Sequence, residues 1–349
     1  MGSLGTLPLV AIFAASAAVI WVAGVTLSTA TEAIDTRLKL GSAIGGLLLL
    51  SIATNLPELA ITIAAAVKGN LDIAVGNILG GIAIQTVVLA GLDAASGEER
   101  PLTFLVGSLL LVLEGVLVVV VLVAAMMATQ LPVTTNVAGV SPGTVVVVAF
   151  WLGGLWIVYK ARNGVPWHIE AEGARPGRTH AQRRQSVPKP HRNHTFAHVL
   201  LVFTAAALAT LVAGFTIEQS GDVLAGRVGL SGAVFGATLL AGATALPQLS
   251  SGIQAVKVGD YRLAMSDIFG GNAVLPPMLI FADLIAGSPA LPAAHRTDIW
   301  IAGLGIVLTG VYIVGIIMRP QAKRWRMGPD SLAAIALYAV GIGGLLLVH

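Results

Sequence analysis

The chain of 349 residues is too apolar for a soluble globular protein. Hydrophobic residues make up 56% of it and charged residues 11%, with a mean hydropathy of +0.87, whereas soluble domains carry about 25% charged residues. The absence of cysteine excludes disulfides and thiolate metal sites. The pI near 9.4 does not indicate a nucleic-acid partner here, because membrane proteins retain basic residues in their cytoplasmic loops.

Apolar stretches of about 20 residues, long enough to cross a hydrocarbon core of about 30 Å, recur along the chain. They lack the alternation of barrel strands, as the continuous run VLEGVLVVVVLVAAMMA at 112–128 illustrates. The sequence therefore predicts an all-α membrane protein with ten transmembrane helices. They are expected at 8–30, 40–66, 72–93, 102–126, 141–160, 197–217, 230–256, 262–286, 297–318 and 331–348.

The longest polar interval, 161–196, separates the fifth and sixth predicted helices and is rich in Arg, His, Pro and Gly. This composition is typical of a flexible linker. If the linker is cytoplasmic, 17 of the 20 basic residues fall on the inner side, as the positive-inside rule requires. We therefore expect an inner-membrane protein with both termini outside and the basic linker in the cytoplasm.

The chain contains an internal repeat. A shift of 190 residues aligns 37–93 with 227–283 without a gap, and 21 of the 57 positions are identical. The identities include Pro57 with Pro247 and Asp93 with Asp283, which apolar composition alone does not explain. Because five predicted helices separate the copies, the second copy enters the membrane from the opposite side. The sequence predicts two inverted five-helix repeats, 1–160 and 197–349, an arrangement found in many secondary transporters with their site near the midplane.

The second predicted helix carries polar residues at its centre, namely Thr54, Asn55 and Glu58, around Pro57. A proline inside a helix removes a backbone hydrogen bond and opens the helix, and the freed carbonyl needs a partner. A charged residue at the bilayer centre costs from about 2.5 to over 10 kcal/mol, so Glu58 is a functional candidate.

The seventh predicted helix repeats this break with Thr244, Pro247 and Gln248, and further side-chain oxygens follow at Ser250, Ser251 and Gln254. Two broken helices that face each other would surround one cation with oxygen ligands. Such hard ligands suit Ca²⁺ or Na⁺ and not a soft metal.

The third and eighth predicted helices carry a second matched pair, in which Asn77 aligns with Asp267 and Ile82 aligns with Asn272. Their Gly-Gly steps permit close helix contact. We therefore expect these helices to pack against the broken ones and to bring Asn77, Asp267 and Asn272 near the same centre. Packing is the simpler explanation for the glycines themselves.

Two further acidic residues are weaker candidates. Glu114 would serve a proton path or only a loop, and Glu218 is expected to be solvated at the outer end of its helix. The chain has no phosphate-binding glycine loop, no nucleophile elbow and no histidine pair with zinc-site spacing. The sequence therefore predicts neither an enzyme nor a bound cofactor.

At this point the residues resemble a known family. The segment ATNLPELAITIAAAVKGNLDIAVGNILGG at 53–81 resembles the first alpha-repeat of the calcium/cation antiporter superfamily, which includes the sodium/calcium exchangers. The segment ATALPQLSSGIQAVKVGDYRLAMSDIFGGN at 243–272 resembles the second. The resemblance implies an alternating-access antiporter that moves Ca²⁺ or a related cation against Na⁺ or H⁺. It also implies Thr54, Glu58 and Thr244 as ligands, with Asn55 at a position usually held by serine.

The chain departs from the family pattern at several positions. The resemblance implies an acidic ligand at Gln248 and an asparagine at Ile82, while Asn272 holds an acidic or amide position. One glutamate thus remains where exchangers usually have two, and the ligand charge that holds a divalent ion is reduced. Either Asp267 supplies the missing charge and Ca²⁺ is exchanged, which the resemblance favours, or Glu58 alone couples a monovalent cation to H⁺.

Other classes of protein fit the sequence less well. A scaffold or sensor that has lost transport would explain the altered second repeat, but the retained Pro breaks and Glu58 argue against it. A channel is disfavoured because inverted broken helices usually accompany alternating access. The sequence does not predict the oligomeric state.

Overall fold

The computed structural model describes residues 4–38, 46–162, 195–228, 240–345 and 347–348. Within these ranges the chain is helical, and its β structure is limited to two isolated bridges. The helices are α1 (Thr6–Leu38), α2 (Gly46–Thr54), α3 (Leu56–Val67), α4 (Leu71–Ala95), α5 (Leu102–Val106), α6 (Leu109–Ala128), α7 (Pro142–Arg162), α8 (Phe196–Val228), α9 (Ala241–Thr244), α10 (Leu246–Lys257), α11 (Tyr261–Val274), α12 (Leu279–Ala286), α13 (Arg296–Met318) and α14 (Pro329–Leu345).

The predicted all-α membrane architecture is confirmed. Seven helical segments in the described ranges are long and apolar enough to cross a membrane: Thr6–Thr31, Leu71–Ala95, Leu109–Ala128, Pro142–Ala161, Phe196–Arg227, Tyr261–Ala286 and Arg296–Met318. Two more apolar helices, Leu56–Val67 and Pro329–Leu345, are shorter. The predicted spans 40–66 and 230–256 begin in ranges that are not described, and most of the linker 161–196 lies outside the described residues. The count of ten spans stays a prediction.

Both predicted helix breaks occur, and each is one residue wide. Asn55 separates α2 from α3, and Ala245 separates α9 from α10. The dihedral angles stay close to helical, with φ −96° and ψ 12° at Asn55 and φ −77° and ψ −2° at Ala245. The sequence predicted the positions of the breaks, but the helices are less open there than a proline alone suggested. A polar residue follows three positions after each break, Glu58 in α3 and Gln248 in α10.

Reciprocal glycine–proline contacts join the two halves of the chain. A Cβ added to Gly24 of α1 would lie 2.7 Å from Cβ of Pro247, and one added to Gly214 of α8 would lie 3.2 Å from the Pro57 carbonyl oxygen. Gly214 stands 190 residues after Gly24, the same shift that aligns the two prolines. Each long helix of the α1–α8 pair therefore lies directly against the broken helix of the opposite half.

The matched aspartates, Asp93 and Asp283, anchor loops. Asp93 accepts hydrogen bonds from the backbone N–H of Leu102 at 2.9 Å and from the Ser331 hydroxyl at 2.9 Å. Asp283 accepts from the backbone N–H of Ala290 at 2.7 Å and of Ser141 at 3.1 Å. Ser331 lies 190 residues after Ser141, so the connection before the last helix of each half is held by the aspartate of the other half.

The largest buried apolar cluster is formed mainly by α4, α6, α11 and α13. The helices α1 and α8 pack along each other. Their apolar residues contribute to three smaller clusters beside the largest one. The broken helices α2–α3 and α9–α10 contact both α4 and α11, so their polar residues face the helices that carry the Gly-Gly steps.

Candidate cation site

Glu58 lies in the first turn of α3, directly after Pro57, and is fully buried. Its oxygen Oε1 accepts a hydrogen bond from Gln85 Nε2 at 2.8 Å. The Thr244 hydroxyl from the other half of the chain interacts with the same carboxylate. The second oxygen, Oε2, has no hydrogen-bond partner of ordinary geometry among the residues that the structure describes. Glu58 therefore offers one carboxylate oxygen to a further partner.

Gln85 of α4 is a member of this site that the sequence did not single out. Its Nε2 also donates to Asn55 Oδ1 at 3.0 Å, and the same oxygen accepts from Gln248 Nε2 at 2.9 Å. One amide oxygen at the break of α2–α3 thus joins side chains from both halves. The repeat pairs Gln85 with Leu275, so the internal alignment gave no signal. The sequence indicated its place in the site only by its position one helical turn after Gly81, on the same face of α4.

Asp267 of α11 is buried beside the same break. Its Oδ1 accepts from the Thr54 hydroxyl at 3.3 Å, and its Oδ2 accepts from the Ser251 hydroxyl at 2.5 Å. The Ser51 hydroxyl donates to the Asp267 backbone carbonyl at 3.4 Å. A second carboxylate therefore lies next to a predicted site residue, and both of its oxygens already accept hydrogen bonds.

The remaining predicted residues lie at the edges of this network. Asn77 Nδ2 donates to the Glu58 carbonyl oxygen at 3.0 Å and so buttresses the first turn of α3. Asn272 Nδ2 donates to the Thr86 hydroxyl at 2.9 Å. Asn272 therefore contacts the residue that follows Gln85 in α4. Asn272 makes no side-chain hydrogen bond to another predicted site residue within the described chain.

The extra oxygens predicted on the seventh span divide into three cases. Ser251 contacts Asp267, as described above. Ser250 instead donates to the Pro247 carbonyl of its own helix at 2.9 Å, and Gln254 is exposed. Of these three side chains, Ser251 is therefore the one that reaches the network, because successive residues of a helix point in different directions.

Four buried side-chain oxygens in this region lack a hydrogen-bond donor among the described residues: Glu58 Oε2, Gln85 Oε1, Gln248 Oε1 and Asn272 Oδ1. A buried acceptor left without a partner costs about 1–3 kcal/mol, and most such groups in folded proteins are satisfied. Carboxylate and amide oxygens are the ligands that hard cations prefer. Because the unpartnered atoms are all acceptors, the site suits a cation better than an anion or another ligand that carries only hydrogen-bond acceptors.

The charge of the site comes from few groups. The described chain contains no cluster of three or more His, Asp or Glu side chains that would hold a metal ion. Glu58 and Asp267 are the carboxylates of the hydrogen-bonded network, and its other oxygens belong to amides and hydroxyls. When both carboxyl groups are ionised, their total formal charge is −2.

Close packing explains the glycines of the Gly-Gly steps. A Cβ added to Gly271 would lie 2.7 Å from Asn55 Nδ2, and one added to Gly270 would lie 2.8 Å from Ser51 Oγ. A side chain at either position would push α11 away from α2. These glycines therefore allow the contact between Thr54 and Asp267.

The two weaker acidic candidates are both buried. Glu114 of α6 accepts a hydrogen bond from the Ser266 hydroxyl at 2.5 Å, so it contacts the residue before Asp267. Glu218 of α8 is only 6% exposed and forms an ion pair with Lys68 at 3.5 Å. The expectation that Glu218 is solvated was wrong, because the end of α3 brings Lys68 against it.

The match to known proteins covers both halves of the chain. Residues 8–163 and 198–346 match the sodium/calcium exchanger protein family, so the chain belongs to this family. The resemblance read from the two repeat segments is confirmed, and the family is one of transporters and not of enzymes.

The relatives and the solved structures agree with this assignment. The inner membrane protein YrbG of Escherichia coli (strain K12) is 26% identical over 300 residues, which are 78% of this chain and 85% of that protein. The putative antiporter CaxA of Alkalimonas amylolytica is 27% identical over 244 residues, 69% of each chain.

The fold is that of solved exchangers. The crystal structure of the H⁺/Ca²⁺ exchanger CAX superposes with a TM-score of 0.68 at 14% identity, covering 97% of this chain and 82% of that one. The sodium-calcium exchanger NCX_Mj superposes with a TM-score of 0.60 at 17% identity, covering 97% and 98%. At these identities the likeness concerns the fold alone.

Proposed function

We propose that the protein is a secondary active cation antiporter that exchanges Ca²⁺ for Na⁺ or H⁺ by alternating access. The observation that carries the proposal is the set of four buried oxygens without donors, which includes Glu58 Oε2 and comes from both halves of the chain. Membership of an exchanger family supports the same function. The proposed architecture is ten transmembrane helices in two inverted five-helix repeats, with the site near the midplane.

The proposed ligands of the transported cation come from six helices, α2, α3, α4, α9, α10 and α11, and from the break at Asn55. Glu58 and Gln248 occupy matched positions after the two prolines, and each has one side-chain oxygen without a donor. Gln85 adds an amide oxygen of the same kind. The complete proposed set is Thr54, Asn55, Glu58, Asn77, Gln85, Thr244, Gln248, Asp267 and Asn272. Ca²⁺ takes 6–8 oxygen ligands, so only part of this set of side chains would need to turn toward the ion to bind it.

Asp267 favours Ca²⁺ as the transported ion. Its carboxylate is 3.3 Å from the Thr54 hydroxyl, which places a second negative charge in the network that also contains Glu58. A divalent cation is held mainly by ligand charge. Asp267 would thereby replace the acidic ligand that Gln248 no longer provides.

One observation favours a second candidate, the exchange of a monovalent cation for H⁺. Both oxygens of Asp267 already accept hydrogen bonds, from Thr54 and Ser251. Glu58 is then the carboxylate of the network that has an oxygen without a hydrogen-bond donor, and this oxygen can bind a cation or a proton. A single carboxylate can carry either a monovalent ion or a proton, which is the requirement for coupling the two.

The proposed location is the inner membrane, with both termini outside and residues 161–196 in the cytoplasm. The distribution of basic residues supports it, since 17 of 20 then lie on the inner side. The relative YrbG is named an inner membrane protein.

An ion panel in proteoliposomes tests the proposal. Uptake of Ca²⁺, Na⁺ and K⁺ is measured with imposed Na⁺ or pH gradients of either direction. Gradient-driven Ca²⁺ uptake supports the first candidate, and Na⁺ or K⁺ movement coupled to H⁺ without Ca²⁺ uptake supports the second. If correctly folded protein moves none of these ions under any gradient, the antiporter proposal is wrong and the scaffold or sensor reading is favoured.

A further inference from the structure

The connection between α13 and α14, residues 319–328, contains a tight turn with an unusual sequence. Arg324 and Met327 exchange two backbone hydrogen bonds, of 2.8 and 3.1 Å. Trp325 and Arg326 between them have φ angles of 52° and 65°. Two consecutive positive φ angles between paired residues define a type I′ turn, which normally takes Asn-Gly or another Gly-containing pair.

The other half of the chain builds the same turn between α6 and α7. Val137 and Val140 exchange backbone hydrogen bonds of 3.0 and 3.1 Å, and the φ angles of Ala138 and Gly139 are 53° and 84°. That connection, 129–141, contains no basic residue. The turn is therefore common to both halves, but the pair Trp-Arg occurs in one of them, at positions where large side chains are conformationally disfavoured.

The strained pair is presented away from the protein. Trp325 is 74% exposed, and Arg324 and Arg326 are exposed beside it. The Arg324 guanidinium lies 5.0 Å from the centroid of the Trp325 ring. Neither arginine makes an ion pair or a side-chain hydrogen bond with the described part of the chain. Their charges are thus available to a partner outside it.

Three neighbouring cations, Arg100, Arg319 and Lys323, are engaged with the protein. Lys323 Nζ lies 2.9 Å from Asp93 Oδ1 and 2.8 Å from Ser96 Oγ. The guanidinium groups of Arg319 and Arg100 lie over the Phe104 ring, at 4.3 and 4.9 Å from its centroid. These contacts fix the connection to the end of α4 and to α5, so the turn is held in place and its exposed cations are positioned.

We propose that Arg324, Trp325 and Arg326 bind the headgroup of an anionic phospholipid. The turn begins six residues after Met318, the 72% exposed last residue of the apolar helix α13, so we place it where lipid tails give way to headgroups. Tryptophan favours this boundary, and arginine pairs with anionic headgroups there. The positive-inside rule accounts for basic residues on this face, but not for a Trp-Arg pair at two strained positions.

The site is independent of which cation is transported. Because Lys323 and Ser331 bind Asp93 at the end of α4, a bound headgroup stabilises the packing of α14 against the helix that carries Gln85. We therefore expect anionic lipid to stabilise the folded protein selectively.

The test measures thermal unfolding and lipid adducts of the full-length protein in detergent containing phosphatidylglycerol or phosphatidylcholine. The wild type is expected to gain more stability with phosphatidylglycerol and to retain its adducts in native mass spectra. R324Q/R326Q is expected to bind phosphatidylglycerol about 30-fold more weakly, since each basic residue near an anionic surface contributes about a factor of five. The charge-matched control K160Q/K257Q, which removes two exposed cations elsewhere, is expected to keep the preference.

A second variant separates lipid binding from folding. W325N/R326G installs the residues that the turn itself prefers, so it is expected to raise the melting temperature in phosphatidylcholine and to lose the preference for phosphatidylglycerol. The proposal is overturned if R324Q/R326Q keeps the preference, or if the control loses it equally, which would indicate bulk charge. Displacement of the lipid by millimolar inorganic phosphate at constant ionic strength would also overturn it, because the site would then be one for free phosphate.

Discussion

Gln85 and Gln248 donate hydrogen bonds to the same atom, Oδ1 of Asn55, at 3.0 and 2.9 Å. Gln85 belongs to the first half of the chain and Gln248 to the second, so one amide oxygen holds the two halves together at the break of α2–α3. With both Nε2 groups engaged, the oxygen of each glutamine is turned to another part of the buried site, where it has no donor among the described residues. Asn55 thereby orients two amide oxygens that the proposed function assigns to the cation.

The first prediction concerns Asn55. N55A removes the shared acceptor and leaves the Gln248 amide without its buried partner, a loss of about 1–3 kcal/mol in unfolding free energy. Because both glutamine oxygens lose their orientation, the apparent affinity for the transported cation is expected to fall at least about tenfold. Concentration-dependent uptake in proteoliposomes checks this. N55S, which keeps a side-chain oxygen, should lie between wild type and N55A, and equal affinities for all three would contradict the role of Asn55.

The second prediction concerns Gln85. Q85L places the residue of its repeat counterpart at this position and removes the donors to both Glu58 and Asn55. The buried Glu58 carboxylate then lacks the hydrogen bond from Gln85, so we expect a lower melting temperature and a loss of exchange. Unfolding in detergent and gradient-driven uptake are measured together. T309A, which affects a hydroxyl bonded within α13 at 2.8 Å from the Gly305 carbonyl, serves as a buried control and should keep exchange.

The third prediction concerns the charge count. Q248E restores a carboxylate after the second proline and should raise the affinity for Ca²⁺ if divalent ions are bound by ligand charge. The same change removes the Nε2 donor to Asn55 and sets a carboxylate against its oxygen, so the cation-free protein should be less stable. Melting temperatures with and without Ca²⁺ measure both effects. A variant with unchanged Ca²⁺ affinity would show the charge argument to be wrong.

The fourth prediction distinguishes the two candidate ions. If Asp267 supplies the second charge, D267N abolishes Ca²⁺ exchange; if Glu58 acts alone on a monovalent cation, D267N retains exchange of that cation for H⁺. The amide oxygen can still accept from one of the two hydroxyls, Thr54 or Ser251, and the other hydroxyl can accept from the amide N–H instead, so the variant should fold. The ion panel described above is repeated on D267N, and loss of all exchange with normal stability would favour a site that needs both carboxylates.

The fifth prediction concerns the contact between α1 and α10. G24A adds a Cβ that would lie 2.7 Å from Pro247 Cβ, too close to be accommodated without a shift of the broken helix. We expect a lower melting temperature and slower exchange. G303A on α13 is the matched control, because a Cβ there meets no atom within 4 Å. Comparable losses in both variants would mean that helix propensity or expression, and not this contact, is responsible.

The internal repeat made much of this structure predictable. The prolines fixed the positions of both breaks, and the matched Gly-Gly steps identified the helices that pack on them. Thr54, Asn55, Glu58, Gln248 and Asp267 were all singled out, because polar residues in an apolar helix are conspicuous. Thr244 was found by its match to Thr54.

What the sequence did not predict has identifiable physical reasons. Gln85 has an apolar counterpart and lies in an otherwise unremarkable helix, so only the packing of α4 against the break shows its contacts. Glu218 looked solvated because its partner Lys68 is 150 residues away in the chain. The turn at Trp325 and Arg326 was missed because its backbone angles contradict the ordinary preferences of both residues.

The most direct test of the proposed antiport is gradient-driven cation uptake by E58Q in proteoliposomes, measured with the ion that the wild type transports. E218Q is the matched control, since it removes a second buried glutamate charge that pairs with Lys68 outside the network. We predict that E58Q folds but shows no gradient-driven uptake. E218Q is expected to keep roughly half of the wild-type rate or more, because its ion pair with Lys68 lies away from the site. Uptake by E58Q at the wild-type rate and affinity would contradict the assignment of Glu58 to the cation site.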